Sequence, residues 1–217
     1  MPSRLIKRVR RVRRREGLAG AAKRLCIRAI GPLVARRKYF FVELDTAGPF
    51  TCLRRKQDGL VLARLSEDDV MAIAYVAKGK EQAFRRYLDH GASCYGMRLG
   101  NRTVAHVFAA AADIREFDSG IVVPVGPGQM YLFDAETDLT QRGKGVAIEL
   151  IIRLAEAKHE EGVERFIAFI HDANRVARRT WRRIGFRPFR MFVHTRLLGG
   201  LIKVNRFTEP GADVDPL

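Results

Sequence analysis

Gln141-Arg142-Gly143-Lys144-Gly145-Val146-Ala147 is the stretch that decides the fold of this 217-residue chain. It follows the apolar run Met130-Tyr131-Leu132-Phe133 and opens a segment of helical periodicity that lasts to about Glu160. Both glycines therefore fall in a loop between a strand and a long helix. Glycine lets the backbone approach a ligand closely, and the first-turn N–H groups have no partner within the helix. With the helix dipole and the charges of Arg142 and Lys144, the stretch predicts an anion site, most naturally for a diphosphate.

Two familiar phosphate-binding loops do not match this stretch. A Walker loop needs Gly-Lys-Ser/Thr after a four-residue spacer, and the dinucleotide fingerprint needs a third spaced glycine. The glycines alone also fit an ordinary turn flanked by solvated basic residues. The pattern that does match is Arg-x-x-Gly-x-Ala, in which Arg142, Gly145 and Ala147 hold the fixed positions.

A second motif follows the strand-like run Phe166–Ile170. It reads Asn174-Arg-Val-Ala177-Arg-Arg-Thr180-Trp181-Arg-Arg-Ile-Gly185-Phe186, and we expect a short helix that ends at Gly185. The two motifs, in this order and each between a strand and a helix, resemble those of the GNAT acyltransferase superfamily, whose members bind acyl-coenzyme A. The resemblance covers roughly residues 55 to 208, with motif-level support from about 130 to 190.

The resemblance implies an α/β fold with a mixed, mostly antiparallel twisted sheet and helices on both faces. The local patterns give the same order of strand, two helices, three strands, helix, strand, helix and two strands. We expect a basic helical arm at 1–38, the GNAT acyltransferase domain at 39–208 and a disordered tail at 209–217. The predicted strands are 38–45, 60–65, 94–99, 103–111, 121–123, 129–137, 165–170, 188–195 and 202–207; the predicted helices are 67–77, 81–88, 146–160 and 174–184.

The basic arm holds most of the net charge. Residues 1–38 contain 14 Lys/Arg and one Glu, so the arm carries a net charge of +13 out of the chain's net +16. Two short amphipathic helices are expected, in contact with an anionic surface such as phospholipid headgroups or nucleic acid; a solvated, frayed arm is the alternative. Nucleic acid is disfavoured because the remaining residues carry only +3 and show no zinc finger or aromatic RNA-binding signature.

The cysteines and the hydropathy of the chain bear on three features: disulfide bonds, metal sites and membrane spans. Cys26, Cys52 and Cys94 are odd in number and widely separated, which excludes a disulfide framework and a CxxC metal pair. We therefore expect no metal. The chain contains no run of eighteen uncharged apolar residues, so no membrane span is predicted. These features predict a cytoplasmic protein whose arm contacts the inner membrane surface.

The resemblance also assigns residues to the co-substrate, acetyl-CoA or another acyl-CoA. In this family the strand before the loop lends backbone groups to the pantetheine arm and parts from the next strand, and the thioester lies in the gap. By position, Thr137, Asp138 and Leu139 would do this, while Asn174 would contact the pantetheine arm or brace the second motif. The diphosphate would lie on the N–H groups of the loop residues Arg142, Gly143, Lys144, Gly145, Val146 and Ala147.

The acceptor in this family is usually a primary amine that attacks the thioester directly, which requires a base for the ammonium proton and an acid for the thiolate. Glu136 and His171 are the candidates for the base, although either also fits a structural role. Trp181 stands where relatives often carry a tyrosine that protonates the thiolate. Because an indole N–H does not release its proton at neutral pH, we expect Trp181 to orient or shield the thioester.

Three functions compete at this point. An acyl-CoA-dependent N-acyltransferase is favoured; a catalytically weak coenzyme A-binding or anionic-surface-binding module of the same fold is the alternative, supported by the missing acid. A nucleic-acid-binding protein is third. The acceptor would be a small-molecule amine. The spacing Asp134-x-x-Thr137 is similar to that of enzymes acting on amino sugars or cell-envelope precursors.

Overall fold

The computed structural model describes residues 34–50, 58–76, 79–115, 121–197 and 202–208. The predicted arm lies outside these residues up to position 33, and the predicted tail at 209–217 lies wholly outside them. The chain divides into two compact units. One consists of Tyr39–Met191 with Thr208–Leu217, and the other of Met1–Lys38 with Phe192–Phe207.

Ten strands and four helices occur in the described residues, and nine of the strands and all four helices lie at predicted positions. The strands are β1 (Val34–Asp45), β2 (Leu60–Arg64), β3 (Ser93–Leu99), β4 (Arg102–Ala110), β5 (Ile114–Arg115), β6 (Val122–Val123), β7 (Gln129–Thr137), β8 (Arg165–His171), β9 (Arg187–Leu197) and β10 (Ile202–Thr208). The helices are α1 (Glu67–Val76), α2 (Glu81–Asp89), α3 (Val146–Glu160) and α4 (Arg175–Ile184).

Two details differ from the prediction. Strand β1 begins at Val34, so the last residues assigned to the helical arm are strand instead. These residues extend the strand formed by the apolar run that begins at Tyr39. Pairing in this strand determines their backbone conformation more than the charges of Arg36, Arg37 and Lys38 do. Strand β5 was not predicted; it has two residues and pairs with β6 in a separate small sheet.

The sheet of the larger unit is mixed and mostly antiparallel, which confirms the predicted fold class. Its strand order is β1-β8-β7-β4-β3-β2. Four neighbouring pairs are antiparallel, and β7 with β8 is the parallel pair. A parallel pair needs a crossover connection, and the loop and helix α3 supply it.

Helices lie on both faces of this sheet. Met130 and Leu132 of β7 belong to the main hydrophobic core, together with Leu150, Leu154 and Ile184 from α3 and α4. Side chains alternate along a strand, so Phe133 points to the opposite face. There its ring lies 4.9 Å from the ring of Tyr87 on α2. The prediction of helices on both faces is confirmed.

The smaller unit contributes the end of β9 and strand β10, which are neighbours in a sheet. The ring of Phe192 is fully buried and lies 5.0 Å from that of Phe207. Both strands were predicted at these positions.

Candidate active site

The strands β7 and β8 part at the carboxyl end of the parallel pair. Their register runs from Gln129 opposite Arg165 to Leu132 opposite Ala168 and extends no further, although β7 continues to Thr137. On its other edge β7 has a register shift against β4, and Asp134 there takes a left-handed backbone with φ 44°. A bulge of this kind bends the strand that carries it. The end of β7 therefore has a partner on one side only.

The loop between β7 and α3 has open space beside its backbone at two glycines. Asp138 caps a single 3₁₀ turn, Leu139–Gln141, through its carboxylate, which accepts from the Thr140 amide at 2.8 Å. Gly143 and Gly145 follow with φ of 77° and 86°, a region that favours glycine. A Cβ built on either glycine would meet no heavy atom within 4 Å. The space beside this backbone is open.

The first turn of α3 has no side-chain cap. Gly145 occupies the position before the helix, and no side chain there bonds the first-turn amides. Val146, the first residue of the helix, is buried and belongs to the hydrophobic core. Amides at a helix start combined with the positive end of the helix dipole suit an anion, and a diphosphate fits this donor set.

Two exposed cations border the loop. Arg142 donates from Nε to the Thr137 carbonyl at 3.1 Å, and Lys144 donates from Nζ to the Gln141 side-chain oxygen at 3.2 Å. The acid in the first turn, Glu149, is buried and hydrogen-bonded by Arg153 Nε at 2.7 Å. Arg153 therefore compensates the negative charge of Glu149, and Arg142 and Lys144 give the loop a net positive charge.

The backbone groups at the end of β7 already have partners within the protein. The Asp138 N–H donates to the Val104 carbonyl at 2.9 Å, and the Thr137 carbonyl accepts from Arg142. Hydrogen bonds from Thr140, followed by the charge of Arg102, hold the pKa of Asp138 below its usual value. Leu139 is 75% exposed. Contacts of Thr137, Asp138 and Leu139 with a pantetheine arm stay a prediction, in which the ligand competes with Arg142 for the Thr137 carbonyl.

The second motif forms the start of α4. The Asn174 side chain accepts from the Ala177 N–H at 3.1 Å, and the helix ends at Gly185 with φ 118°. Of the two roles expected for Asn174, bracing is visible in this geometry. Contact with the pantetheine arm stays a prediction.

Trp181 lies in the core. It is 8% exposed, and its ring meets that of Phe186 edge-on, with 4.4 Å between centroids. No described residue accepts a hydrogen bond from its indole N–H. This placement gives Trp181 a packing role that anchors α4. Its predicted position beside the thioester stays a prediction.

The two candidate bases have different surroundings. His171 accepts the Ala173 N–H at Nδ1, at 3.0 Å, and meets the Tyr39 ring edge-on, which commits one ring nitrogen to the turn before α4. Glu136, on the parted end of β7, accepts from Lys80 Nζ at 3.2 Å. Each candidate therefore keeps one polar side-chain atom without a partner among the described residues.

The family model for the Acetyltransferase (GNAT) family matches residues 57–186 of this chain, which include both motifs and the whole loop. The chain belongs to the GNAT acetyltransferase family. Membership supports acyl transfer from coenzyme A in general. No curated protein matches the chain.

Several solved proteins are similar to this chain, and the two with TM-scores of 0.54 share its fold. A Drosophila protein is 14% identical with a TM-score of 0.54, and the match covers 85% of this chain and 59% of that protein. A GCN5-related N-acetyltransferase from Sphaerobacter thermophilus is 14% identical with a TM-score of 0.54, covering 89% of this chain and 58% of the other. A GNAT-family protein from Novosphingobium aromaticivorans DSM 12444 is 23% identical with a TM-score of 0.49, covering 79% and 69%. The chain thus spans less than two thirds of the first two proteins.

Sequence reasoning missed two residues near the parted strand of this GNAT domain. Lys80, just before α2, donates to Asp134 at 2.8 Å as well as to Glu136. Burial lowers the Lys80 pKa, but hydrogen bonds and charge from Asp134 and Glu136 outweigh it and raise the pKa above 10.5. His106 is buried opposite Glu136 on β4. Antiparallel pairing of the predicted strands could have found His106; no local signal points to Lys80.

The described part of this GNAT domain includes one cysteine, Cys94, and a number of His, Asp and Glu residues. No group of three or more His, Cys, Asp or Glu that could hold a metal occurs there. Cys94 is buried, and burial, followed by the charge of Asp134, raises the pKa of its thiol to about 12. That thiol is therefore a poor nucleophile at neutral pH. Among the same residues no helix has the length and hydropathy needed to cross a bilayer.

Proposed function

We propose that this protein is an acyl-CoA-dependent N-acyltransferase that moves an acetyl or other acyl group from coenzyme A to a primary amine by direct attack. One observation supports this proposal most strongly. Helix α3 begins after Gly145 with no side-chain cap, and the strand β7 before it has parted from β8. Open space at Gly143 and Gly145 and two bordering cations support a diphosphate ligand there.

The proposed binding mode follows the donors and acceptors available. The diphosphate would lie on the amides of residues 142–147, with Arg142 and Lys144 adding charge. The pantetheine arm would run along Thr137, Asp138 and Leu139 toward the gap between β7 and β8. Its thioester would then lie beside the part of β7 that has no β8 partner, which includes Glu136.

The proposed chemistry needs two proton transfers. The amine nitrogen attacks the thioester carbonyl carbon, the N–C bond forms, and the C–S bond breaks with the electron pair leaving on sulfur. The acceptor ammonium first gives one proton to a base; after the attack the nitrogen loses a second proton, which the thiolate takes up through water. Glu136 is our first candidate for the base because it lies on the part of β7 that extends beyond the pairing with β8. His171 is the second candidate.

The acceptor we propose is a small-molecule amine, with amino sugars and cell-envelope precursors suggested by Asp134 and Thr137. We place the protein in the cytoplasm. Attachment of residues 1–33 to an anionic membrane surface stays a prediction outside the described residues.

A thiol-release assay with acetyl-CoA and a panel of primary amines tests the proposal. We expect amine-dependent release of coenzyme A thiol and an equal amount of N-acetylated amine. Binding of acetyl-CoA without release toward any amine would favour the alternative, a coenzyme A-binding module. Failure to bind acetyl-CoA would contradict both.

A further inference from the structure

The net charge that lies beyond the arm is unevenly distributed along the chain. Residues 173–208 contain ten Lys/Arg and no Asp or Glu. Residues 39–217 carry a net +3 as a whole, so the parts outside this segment, 39–172 and 209–217, carry a net −7. We call residues 173–208 the basic block. Helix α4 lies within it.

Helix α4 carries most of its arginines on one side. Its buried side chains are Trp181 and Ile184. At 3.6 residues per turn, positions i, i+1, i+4, i+7 and i+8, counted from the first residue of the helix, lie on the opposite side. All five positions are exposed. They are held by Arg175, Val176, Arg179, Arg182 and Arg183, which we call the α4 arc.

Helix α4 supplies no negative charge to balance this arc, because it contains no Asp or Glu. Asp172, the last acid before the helix, accepts from Arg178 Nη1 at 3.2 Å. Arg178 lies outside the arc, where its guanidinium stands 5.4 Å from the centre of the Phe40 ring. The last acid before the helix therefore pairs with the one arginine of α4 that does not belong to the arc.

The arrangement of these arginines is unfavourable for the helix itself. Arg179 has a like charge four residues away on each side, at Arg175 and Arg183, and such pairs destabilise a helix. Cations in the first turn also face the positive end of the helix dipole, and no acid is present there to offset them. A partner of negative charge on the arc would relieve both effects.

The chemistry of the arc indicates which anionic partner fits. A guanidinium group forms paired hydrogen bonds with phosphate oxygens. Val176, in the same arc, is 78% exposed. The basic block holds four of the eight large hydrophobic side chains that are exposed among the described residues; they are Val176, Phe189, Val204 and Phe207. Basic charge together with exposed apolar side chains is typical of surfaces that contact anionic bilayers.

Nucleic acid also carries phosphate groups, but the arc suits it less well. Single-stranded nucleic acid stacks its bases on aromatic side chains that stand among the cations. The arc contains no aromatic side chain, and Trp181 on the same helix is buried. Its one uncharged member is the aliphatic Val176, which suits the boundary between headgroups and acyl chains.

We propose that the α4 arc is a docking surface for an anionic phospholipid bilayer. Its guanidinium groups pair with the phosphate groups of the lipid, and Val176 enters the headgroup region between them. This surface uses none of the residues assigned to coenzyme A. It is a second membrane contact, in addition to the one expected of the arm.

Binding of the full chain to vesicles tests this surface. The probes are phosphatidylcholine vesicles that contain phosphatidylglycerol, with pure phosphatidylcholine vesicles as the uncharged reference, at two salt concentrations. Arg175→Gln with Arg179→Gln should weaken binding to the anionic vesicles at least about tenfold, because each basic residue near such a surface adds roughly fivefold to the affinity. These substitutions also remove a repulsive pair from α4, so we expect the variant to stay folded.

Arg85→Gln with Arg86→Gln is the matched control. Both arginines are exposed on α2, which lies on the other face of the sheet, and the change in net charge is the same. We expect this variant to bind the anionic vesicles within about twofold of the wild type. Equal losses in the two double variants would show that net charge alone attracts the protein, which would overturn the docking surface. An α4 variant that binds as the wild type does would overturn it as well.

Val176→Asn tests whether the partner is a bilayer. Removing this exposed apolar side chain should weaken vesicle binding about threefold at both salt concentrations, because salt screens charges and leaves apolar contacts in place. Duplex DNA is the competing probe. A loss of DNA binding in the α4 arginine variant, with vesicle binding unchanged, would overturn the proposal and assign the arc to nucleic acid.

Acetyl-CoA binding by the same samples keeps this inference separate from the proposed function. We expect the α4 arginine variant to bind acetyl-CoA as the wild type does. Weaker vesicle binding with unchanged acetyl-CoA affinity supports the docking surface. A loss of acetyl-CoA affinity in that variant would assign Arg175 and Arg179 to the coenzyme A site and overturn the docking surface, while leaving the proposed function intact.

Discussion

The helices α3 and α4 both begin just after a strand of the parallel pair, but their first turns are completed differently. At α4 the Asn174 side chain accepts the Ala177 N–H at 3.1 Å. At α3 the equivalent position is Gly145, which has no side chain to bond the first-turn amides. The start of α4 has a side-chain cap, and the start of α3 has none. We therefore propose different roles for the two motifs: the first binds coenzyme A, and the second braces its helix.

Core substitution at α4 should have the largest effect on stability. Trp181→Ala removes a buried ring that packs on Phe186, so we expect a loss of about 3–5 kcal/mol in unfolding free energy. Trp181→Phe keeps a ring and should keep most of kcat. Urea unfolding and steady-state kinetics measure both effects. A hundredfold fall in kcat for Trp181→Phe with unchanged KM would show instead that the indole N–H acts in the transition state.

Charge reversal at the two helix starts tests whether only α3 binds the anion. Arg142→Glu with Lys144→Glu should weaken acetyl-CoA binding about a hundredfold at low salt, and less at high salt because of screening. The control reverses Arg175 and Arg179, two exposed arginines at the start of α4. Calorimetry at two salt concentrations measures the affinities. An equal loss in both double variants would mean that general surface charge, rather than the α3 loop, attracts the ligand.

Removing the cap of α4 should cost less. Asn174→Ala is expected to lower the unfolding free energy by about 1 kcal/mol, because the Ala177 amide loses its acceptor. Asn174→Ser restores a cap and should recover most of that stability together with any lost acetyl-CoA affinity. If Asn174→Ser recovers stability while the affinity stays low, the amide contacts the pantetheine arm directly.

The smallest effect concerns the turn before α3 and its pH dependence. Hydrogen bonds from Thr140, then Arg102, lower the folded-state pKa of Asp138 below its ordinary 3.8. Its stabilisation is therefore present above pH 3.8 and is lost as the pH falls through the folded pKa. Urea midpoints from pH 5 to pH 2.5 should fall less steeply in Asp138→Asn than in the wild type. Parallel curves would show that Asp138 does not stabilise this turn.

Most of the strands and helices could be predicted from the sequence because they depend on patterns of neighbouring residues. Alternation and 3.6-residue periodicity gave the strands and helices, and Gly145 and Asn174 marked the two helix starts. The unpredicted features depend on distant residues. Lys80 meets Asp134 and Glu136 across more than fifty positions of the chain, and the bulge at Asp134 reflects pairing with β4. The first residues of strand β1 were assigned to the arm because Arg36, Arg37 and Lys38 are charged.

Calorimetric titration of acetyl-CoA into Gly145→Asp and Gly162→Asp tests the central claim most directly. Both glycines have φ of 86° and open space around a Cβ, but Gly162 lies beyond the other end of α3. The backbone strain of the two variants is therefore alike. We predict that Gly162→Asp binds as the wild type does, and that Gly145→Asp binds at least about a hundredfold more weakly, since its carboxylate faces the diphosphate. Wild-type affinity in Gly145→Asp would contradict the assignment of this loop as the coenzyme A site.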